Sequence, residues 1–486
     1  MRLLPPGVPG NDIEAEEPEG SAIMEALTLR QLLEAVGGAL LGEHADLDAA
    51  VTEVCTDSRK IQPGCLFIPL EGERFDGHSF INAALEAGAA GCFTARERES
   101  YLPGKFYIKV RSTQRALWDL ARYYKALFPI PFVAITGSVG KTTTKDMAAA
   151  VLGAKFCVHK TEGNFNNDIG VPLTLLKLER RHQVCVVEMG MDHAGEIDYL
   201  GRLVEPDMAL ITNIGDAHIE NLGSREEIFK AKCEIFPHLK EDGLAILNGD
   251  DPMLASLRGT LPQRTVFVGR GEGLDYAACD LSSDGTAHLN CRVKTPHSQF
   301  QADIPALGDH MIYPTLMAAA VGEALGMAPD EIVRGIGAFL PTKMRMNIIR
   351  CKGDVVILND AYNANPQSMR AAAAVLGDAA HGRRRVAVLG DMKELGPGSE
   401  QFHRAVGSYF AQAGTHRLIA VGDLARFIAE GARDAGLERA DHYPTMEEAK
   451  NALSREVRAG ATILVKASRA MAFEKIVDFL LSCVPQ

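Results

Sequence analysis

No uninterrupted apolar run in this sequence is long enough to span a bilayer, which excludes a transmembrane helix. The first residues, MRLLPPGVPGNDIEAEEPEGSA, lack the apolar centre of a signal peptide, so a cytoplasmic protein is expected. Rich in Pro, Gly and Glu, residues 1–23 read as a disordered leader, with Met24 an alternative start. A surplus of positive charge is missing too. The balance of 51 Lys plus Arg against 63 Asp plus Glu gives a net charge of −12, which argues against nucleic acid as the main partner. Local basic pockets stay open. The ten cysteines form no C-x-x-C pair and no dense framework, so Cys55, Cys65, Cys157, Cys185 and the rest are expected to be reduced thiols serving as small buried hydrophobes. No internal repeat is evident.

What is present is globular. Hydrophobic residues make up 47% of 486, charged residues 23% and aromatics 6%, and the length suggests about three domains. The expected fold class is α/β in three parts. Residues 24–126 hold short strands and helices around DSRKIQPGCLFIPLEGERFDGH. Residues 127–341 alternate apolar strands with helices: FVAIT, KTTTKDMAAAVL, QVCVVEMG, MALITNI and LAILN. That alternation predicts a parallel sheet covered on both faces. Residues 342–486 begin a second alternating block with DVVILNDAY, a helix from Pro366, RRVAVLGDM, a helix from Ser399, RLIAVG, TILVKAS and a last amphipathic helix, a doubly wound, Rossmann-like domain. GRGEG at Gly269 is not G-x-G-x-x-G and carries little weight.

Directly after FVAIT stands a glycine loop opening a helix, Gly137, Ser138, Val139, Gly140, Lys141, Thr142 and Thr143. Backbone amides of such a loop and the positive end of the helix bind phosphate oxygens. Lys141 is expected to reach the β- and γ-phosphates, and the Thr142 hydroxyl to ligate Mg²⁺. The spacing is a short G-x-x-G-K-T, because the first glycine of the longer pattern would fall at Ile135. Glu188, where VCVV ends, is the candidate magnesium carboxylate on the ligand edge of the sheet; a helix-capping Glu is the other reading. His218 follows another strand, and Lys232 lies on a helix beginning near Ser224; a single histidine or lysine is usually structural or solvated, so alone each is a weak signal. Asn166 and Asn167 stand in a polar loop, where substrate hydrogen bonding and a plain turn are both open. LNDAYNANPQSM packs Asp360, Tyr362, Asn363, Asn365 and Ser368 at a strand's C-terminal end, as expected of a ligand edge, though an Asn-Pro turn capping a helix explains part of it. LGDMKELG and LVKASR repeat the strand-to-polar-loop design.

These residues resemble the Mur ligase family over nearly the whole chain after the leader. TGSVGKTTTK is similar to the family's ATP loop, and DSRKIQPGCLFIPLEGERFDGHSF to its N-terminal UDP-sugar domain. NNDIGVPLTLL, DAYNANPQSM and GDMKELG resemble the branch that adds D-alanyl-D-alanine; a D-Y-A-H segment and an Asp-Asn-Pro-Arg motif, expected of a relative adding a single amino acid, are absent. The resemblance implies an ATP- and Mg²⁺-dependent ligase that joins D-alanyl-D-alanine to UDP-N-acetylmuramoyl-tripeptide through an acyl phosphate. A single-amino-acid Mur ligase and an inactive nucleotide-binding homologue are the alternatives. A monomer is expected.

By position, the resemblance gives Lys141, Glu188, His218 and Lys232 as the catalytic set. Glu188 and Thr142 serve a first Mg²⁺, His218 a second, and Lys232 becomes a metal ligand if carbamylated. Arg345 and Asp360 match contacts to ATP, Arg345 to phosphate and Asp360 to ribose. Ser58 and Arg59 match the UDP-contacting pair, with Gly72, Phe75, Asp76 and His78 shaping that site. Tyr362, Asn363, Asn365 and Ser368 are placed toward the dipeptide. The sequence departs from the family pattern at Asp168, at Asp192 before His193, and at Ala467 after Lys466.

Overall fold

The computed structural model describes residues 20–42, 46–72, 75–97, 99–283, 285, 287–379 and 382–484, so most of the expected leader lies outside the described residues. Its last three residues do not behave as a leader. Ser21–Thr28 is a strand, registered Ser21 opposite Cys55 and Ala22 opposite Val54, and Ala22 is wholly buried. The Pro/Gly/Glu composition ends before the alternating SAIMEALT begins, and that alternation pairs. The strand runs into helix Leu29–Val36 through a capping box: Thr28 Oγ1 accepts from Gln31 N at 3.2 Å, and Thr28 N donates to Gln31 Oε1 at 2.8 Å.

The chain forms two compact units, one of residues up to Phe128 plus Pro172–Arg180, the other of Pro129–Val171 and Arg181 onward. The first holds a six-stranded mixed sheet. Ala50–Cys55, Leu66–Phe67, Gly91–Thr94 and Phe106–Lys109 run parallel, and Ser21–Thr28 and Ala39–Leu41 close the two edges antiparallel. Cys55, Cys65 and Cys92 fill its core beside Phe67 and Tyr107, as small hydrophobes. All ten cysteines are free, but Cys157, Cys233, Cys279, Cys351 and Cys483 are only half-buried, so the expectation of burial holds for the others.

The second unit carries two sheets. The larger has nine strands: Val158–Lys160, Val184–Glu188, Phe132–Thr136, Met208–Ile211, Leu244–Asn248, Arg264–Gly269, Tyr276–Ser283, Leu289–Lys294 and Gln299–Ile304. The first seven are parallel, and the last two turn antiparallel. That antiparallel extension was not expected; its strands alternate polar with apolar residues, the mark of a sheet with one solvated face. Helices Lys141–Gly153, Ile312–Ala324 and Pro329–Gly337 pack together in its core through Val151, Ala318, Val321 and Ile332.

The smaller sheet orders Asn347–Cys351, Val355–Asn359, Ala461–Lys466, Arg384–Gly390, Arg417–Val421 and Ala440–Tyr443, parallel except for its first pair. Two cores, one on each face, cover it as a doubly wound sheet requires. Among the described residues no helix is long and apolar enough to cross a membrane.

Candidate active site

Strand Phe132–Thr136 is buried throughout and delivers Gly137 at φ 146°. A Cβ there would sit 1.9 Å from Thr212 Oγ1, and the backbone angle is one that glycine alone adopts freely. The loop is tied to the exit of the neighbouring strand. Ser138 N donates to Asn213 O (3.0 Å), Val139 N to Asn213 Oδ1 (3.0 Å), and Gly215 N to Ser138 Oγ (2.8 Å). Gly140, at φ 84°, caps helix Lys141–Gly153, so the amides of the first helical turn, including Thr142 and Thr143, open on the strand ends. Lys141 Nζ donates to Gly137 O at 2.8 Å.

Glu188 ends strand Val184–Glu188, in register with Ile135 of the loop strand, and is 2% exposed. Its Oε1 accepts from Thr142 Oγ1 at 3.3 Å and from Asn166 Nδ2 at 2.8 Å. The other oxygen, Oε2, has no hydrogen-bond partner among the described residues and lies 4.0 Å from the Lys145 ammonium. A buried carboxylate oxygen left without a donor, beside a hydroxyl, fits a divalent cation. Asn166 thus serves Glu188. Asn167 supplies the plain turn, its Oδ1 accepting from Ile169 N and Gly170 N.

Lys232 lies buried on helix Arg225–Cys233, whose cap is Ser224. Burial, with Lys141 adding repulsion, holds its amine well below the ordinary lysine range. Burial also lowers Lys141, with Glu188 opposing. His218 stands at φ 63° at the start of helix Ile219–Leu222. Its Nδ1 is 2.8 Å from Glu394 Oε2 but is not aligned as a hydrogen bond. Burial lowers its pKa; Glu394 and Asp192 oppose that, and Lys141 and Lys232 reinforce it.

The smaller sheet contributes Arg345. Its Nη2 reaches Thr142 Oγ1 at 3.4 Å, and its guanidinium stacks 4.0 Å over the Tyr362 ring. Asp360 is committed to structure: Oδ1 accepts from Met346 N (3.1 Å) and Oδ2 from Lys466 Nζ (2.5 Å), while Lys466 also donates to Asn363 O (2.8 Å). Asn365 and Ser368 cap helix Pro366–Ala379 reciprocally, Ser368 N to Asn365 Oδ1 at 2.8 Å and Asn365 N to Ser368 Oγ at 3.0 Å. Asn363 Oδ1 accepts from Ala364 N.

In the first unit Arg59 forks onto Asp57 at 2.9 and 2.7 Å, next to half-buried Ser58. The hairpin Glu71–Gly72 with Phe75–Asp76 leaves Phe75 60% exposed, with Gly72 close against its ring. His78 is buried beneath the hairpin, its Nδ1 3.0 Å from Asp76 Oδ1 and its Nε2 accepting from Ala95 N at 3.1 Å. Both ring nitrogens are therefore used, and His78 acts as a latch.

The residues left unassigned from sequence are Lys145, Asp146 and Glu394. Asp146 accepts from Lys160 Nζ at 2.7 Å and from the Thr342 hydroxyl. Glu394 lies in GDMKELG, whose strand-to-polar-loop design and family resemblance marked the segment but not the residue.

A P-loop sheet, a carboxylate at the next strand end and a doubly wound sheet supplying an arginine define a nucleotide-dependent ligase architecture. The Mur ligase catalytic domain matches residues 50–125, the Mur ligase middle domain 135–322, and the Mur ligase glutamate ligase domain 344–469. The chain belongs to the Mur ligase family. It is 41% identical to UDP-N-acetylmuramoyl-tripeptide–D-alanyl-D-alanine ligase of Bacillus subtilis over 93% of this chain and 98% of that one. The Escherichia coli ligase of the same name is 37% identical over 94% and 99%. MurF from Acinetobacter baumannii superposes with a TM-score of 0.88 at 32% identity, covering 95% of this chain and 100% of that one. MurF from Thermotoga maritima, solved in complex with ADP, gives 0.77 at 29% identity, covering 88% and 97%.

Proposed function

We propose that this chain is the ATP-dependent ligase that joins D-alanyl-D-alanine to the C-terminal carboxylate of UDP-N-acetylmuramoyl-tripeptide, making the pentapeptide precursor of peptidoglycan. The observation that carries the reading is the convergence of Lys141, Thr142, Glu188 and Arg345 on one strand edge. The likeness to ligases of that name over nearly the whole chain names the substrates.

A carboxylate oxygen of the tripeptide attacks the γ-phosphorus of ATP, the bond to the β-phosphate oxygen breaks, and ADP leaves with its electron pair. The dipeptide amine then attacks the acyl-phosphate carbon, loses a proton, and expels phosphate. Both steps gather anions, so fixed cations supply much of the catalysis. Lys141 and Arg345 are poised for the phosphates, while Asp360, holding Lys466 and the Met346 amide, fixes the segment that carries Arg345. Tyr362 holds the Arg345 guanidinium. Glu188 and Thr142 have the donor set for magnesium, which when bound would neutralise phosphate charge. His218 and a carbamylated Lys232 make the second such set. Buried and depressed in pKa, Lys232 offers a neutral amine whose nitrogen can add to carbon dioxide and release a proton, becoming an anionic ligand.

Ser58, Arg59 and the Phe75 hairpin take the UDP end, with His78 and Asp76 holding the hairpin. Asn363, Asn365 and Ser368 set the helix that faces the dipeptide. We place the protein in the cytoplasm as a monomer.

The test is phosphate release from ATP with UDP-N-acetylmuramoyl-tripeptide, adding D-alanyl-D-alanine or single amino acids. Release with the dipeptide alone is expected; release with a single amino acid makes the chain a different Mur ligase, and none with any substrate overturns the enzyme reading.

A further inference from the structure

The GDMKELG loop leaves strand Arg384–Gly390 and is held from several sides. Buried Asp391 accepts from Leu424 N at 3.0 Å and Ala425 N at 2.8 Å. His403 Nε2 accepts from Met392 N at 3.0 Å, and Ser468 Oγ accepts from Lys393 N at 3.0 Å. The next residue, Glu394, is forced to φ 62°, which a side chain-bearing residue adopts at a cost. Gly396 then packs against Glu220, at the helix that follows His218. The framework delivers one carboxylate, 57% exposed, to within 2.8 Å of His218 Nδ1.

Charge is divided across this site. Lys141 and Arg345 meet at the glycine loop as its cationic side, Glu394 stands at His218, and the charges of Lys141, Glu394 and Asp192 all reach the His218 ring. The two substrates of an amide ligase have opposite needs. ATP and the tripeptide carboxylate are anions, whereas the second substrate arrives with an ammonium that the cationic side repels. We propose that Glu394 binds the α-ammonium of the incoming dipeptide and so positions its nitrogen beside the activated carboxyl. This deepens the ligase reading above and rests on it.

The experiment uses the full chain with Glu394→Gln, checked by thermal melting for retained folding. Hydroxylamine traps the acyl phosphate as a hydroxamate without the dipeptide, separating the first step from the second. The expected result is a KM for D-alanyl-D-alanine raised about ten- to a hundredfold, the loss of one charge-assisted contact, with hydroxamate yield retained. A second readout is inhibition by 2-hydroxypropanoyl-D-alanine, which carries a hydroxyl in place of the ammonium. It should bind the native protein far more weakly than the dipeptide, and Glu394→Gln should close most of that gap. An unchanged dipeptide KM overturns the proposal. So does hydroxamate yield falling in step with overall turnover, which would place Glu394 on the nucleotide side through His218. If the native chain releases phosphate with no need of the dipeptide, the ligase reading fails first, and that is seen before any variant is made.

Discussion

Arg345 and Thr142 lie 203 positions apart in sequence and meet at 3.4 Å, guanidinium to hydroxyl. The contact joins the start of the smaller sheet to the first turn of the P-loop helix. On either side of Arg345, Met344 and Met346 take φ values of 60° and 55°, so the backbone is bent around the arginine to aim it.

Replacing Arg345 therefore tests the nucleotide site from its far side. Arg345→Ala should raise the KM for ATP and lower kcat, together costing about 3 kcal/mol of transition-state stabilisation. Arg345→Lys keeps the charge but loses the planar stack on Tyr362 and should recover only part of the loss. Steady-state kinetics with ATP varied would show this; a lysine variant equal to the native enzyme would mean that charge alone matters.

Lys232 is a buried amine whose strongest resolved electrostatic neighbour is another lysine. Burial favours its neutral form, and an anionic carbamate there would offset the charge of Lys141. Lys232→Ala should lose at least about a hundredfold in kcat, with partial recovery on adding a short carboxylic acid that enters the space. Full activity in the alanine variant, without any added acid, would remove Lys232 from the site.

His403 titrates against the loop that carries Glu394. The ring is wholly buried, its Nδ1 2.6 Å from Ser399 O as donor and its Nε2 accepting from Met392 N. Burial lowers its pKa, so the unfolded chain binds the proton more readily than the folded one. Its contribution to stability is full above the unfolded value of about 6.5 and is lost as pH falls from there through the depressed folded value. Urea melts at about pH 7.5 and about pH 5.5 should show the native protein losing more stability on acidification than His403→Gln. His218, His310 and His416, also depressed, remain in both proteins, so the difference isolates His403. Equal losses would place the acid sensitivity elsewhere.

Local patterns carried much of this far. FVAIT, the glycine loop and the helix after it form one contiguous unit, so strand, turn and helix were legible together, as was the place of Glu188 at the end of its own apolar run. What adjacent residues share was not. Asn166 and Asn167 look alike in sequence, yet one turns to Glu188 and the other closes a turn, a choice made by a strand twenty residues further on. Asp360 and Asn365 read as ligand-edge residues, but their hydrogen bonds go largely to Lys466, Met346 and Ser368. Glu394 could not be singled out because its meaning depends on His218, 176 positions away at the start of helix Ile219–Leu222. The strand at Asn347–Cys351 escaped as well: it is short, follows a polar linker and pairs antiparallel at the sheet edge.

The first unit sets an exposed aromatic beside a buried latch. Phe75 is exposed at the hairpin and His78 is buried beneath it, so the two should fail differently. Phe75→Ala removes an aromatic face and little packing, so stability should change by no more than about 0.5 kcal/mol while the KM for the UDP-linked substrate rises. His78→Ala removes the acceptor for Ala95 N and the partner of Asp76, so about 1–3 kcal/mol of stability should be lost along with substrate affinity. The KM for ATP should hold in both, because Lys141, Thr142 and Arg345 belong to the other unit. Denaturant melts paired with kinetics in each substrate would decide it. A Phe75→Ala variant with native affinity would move the UDP contact away from the hairpin and onto the turn at Ser58 and Arg59.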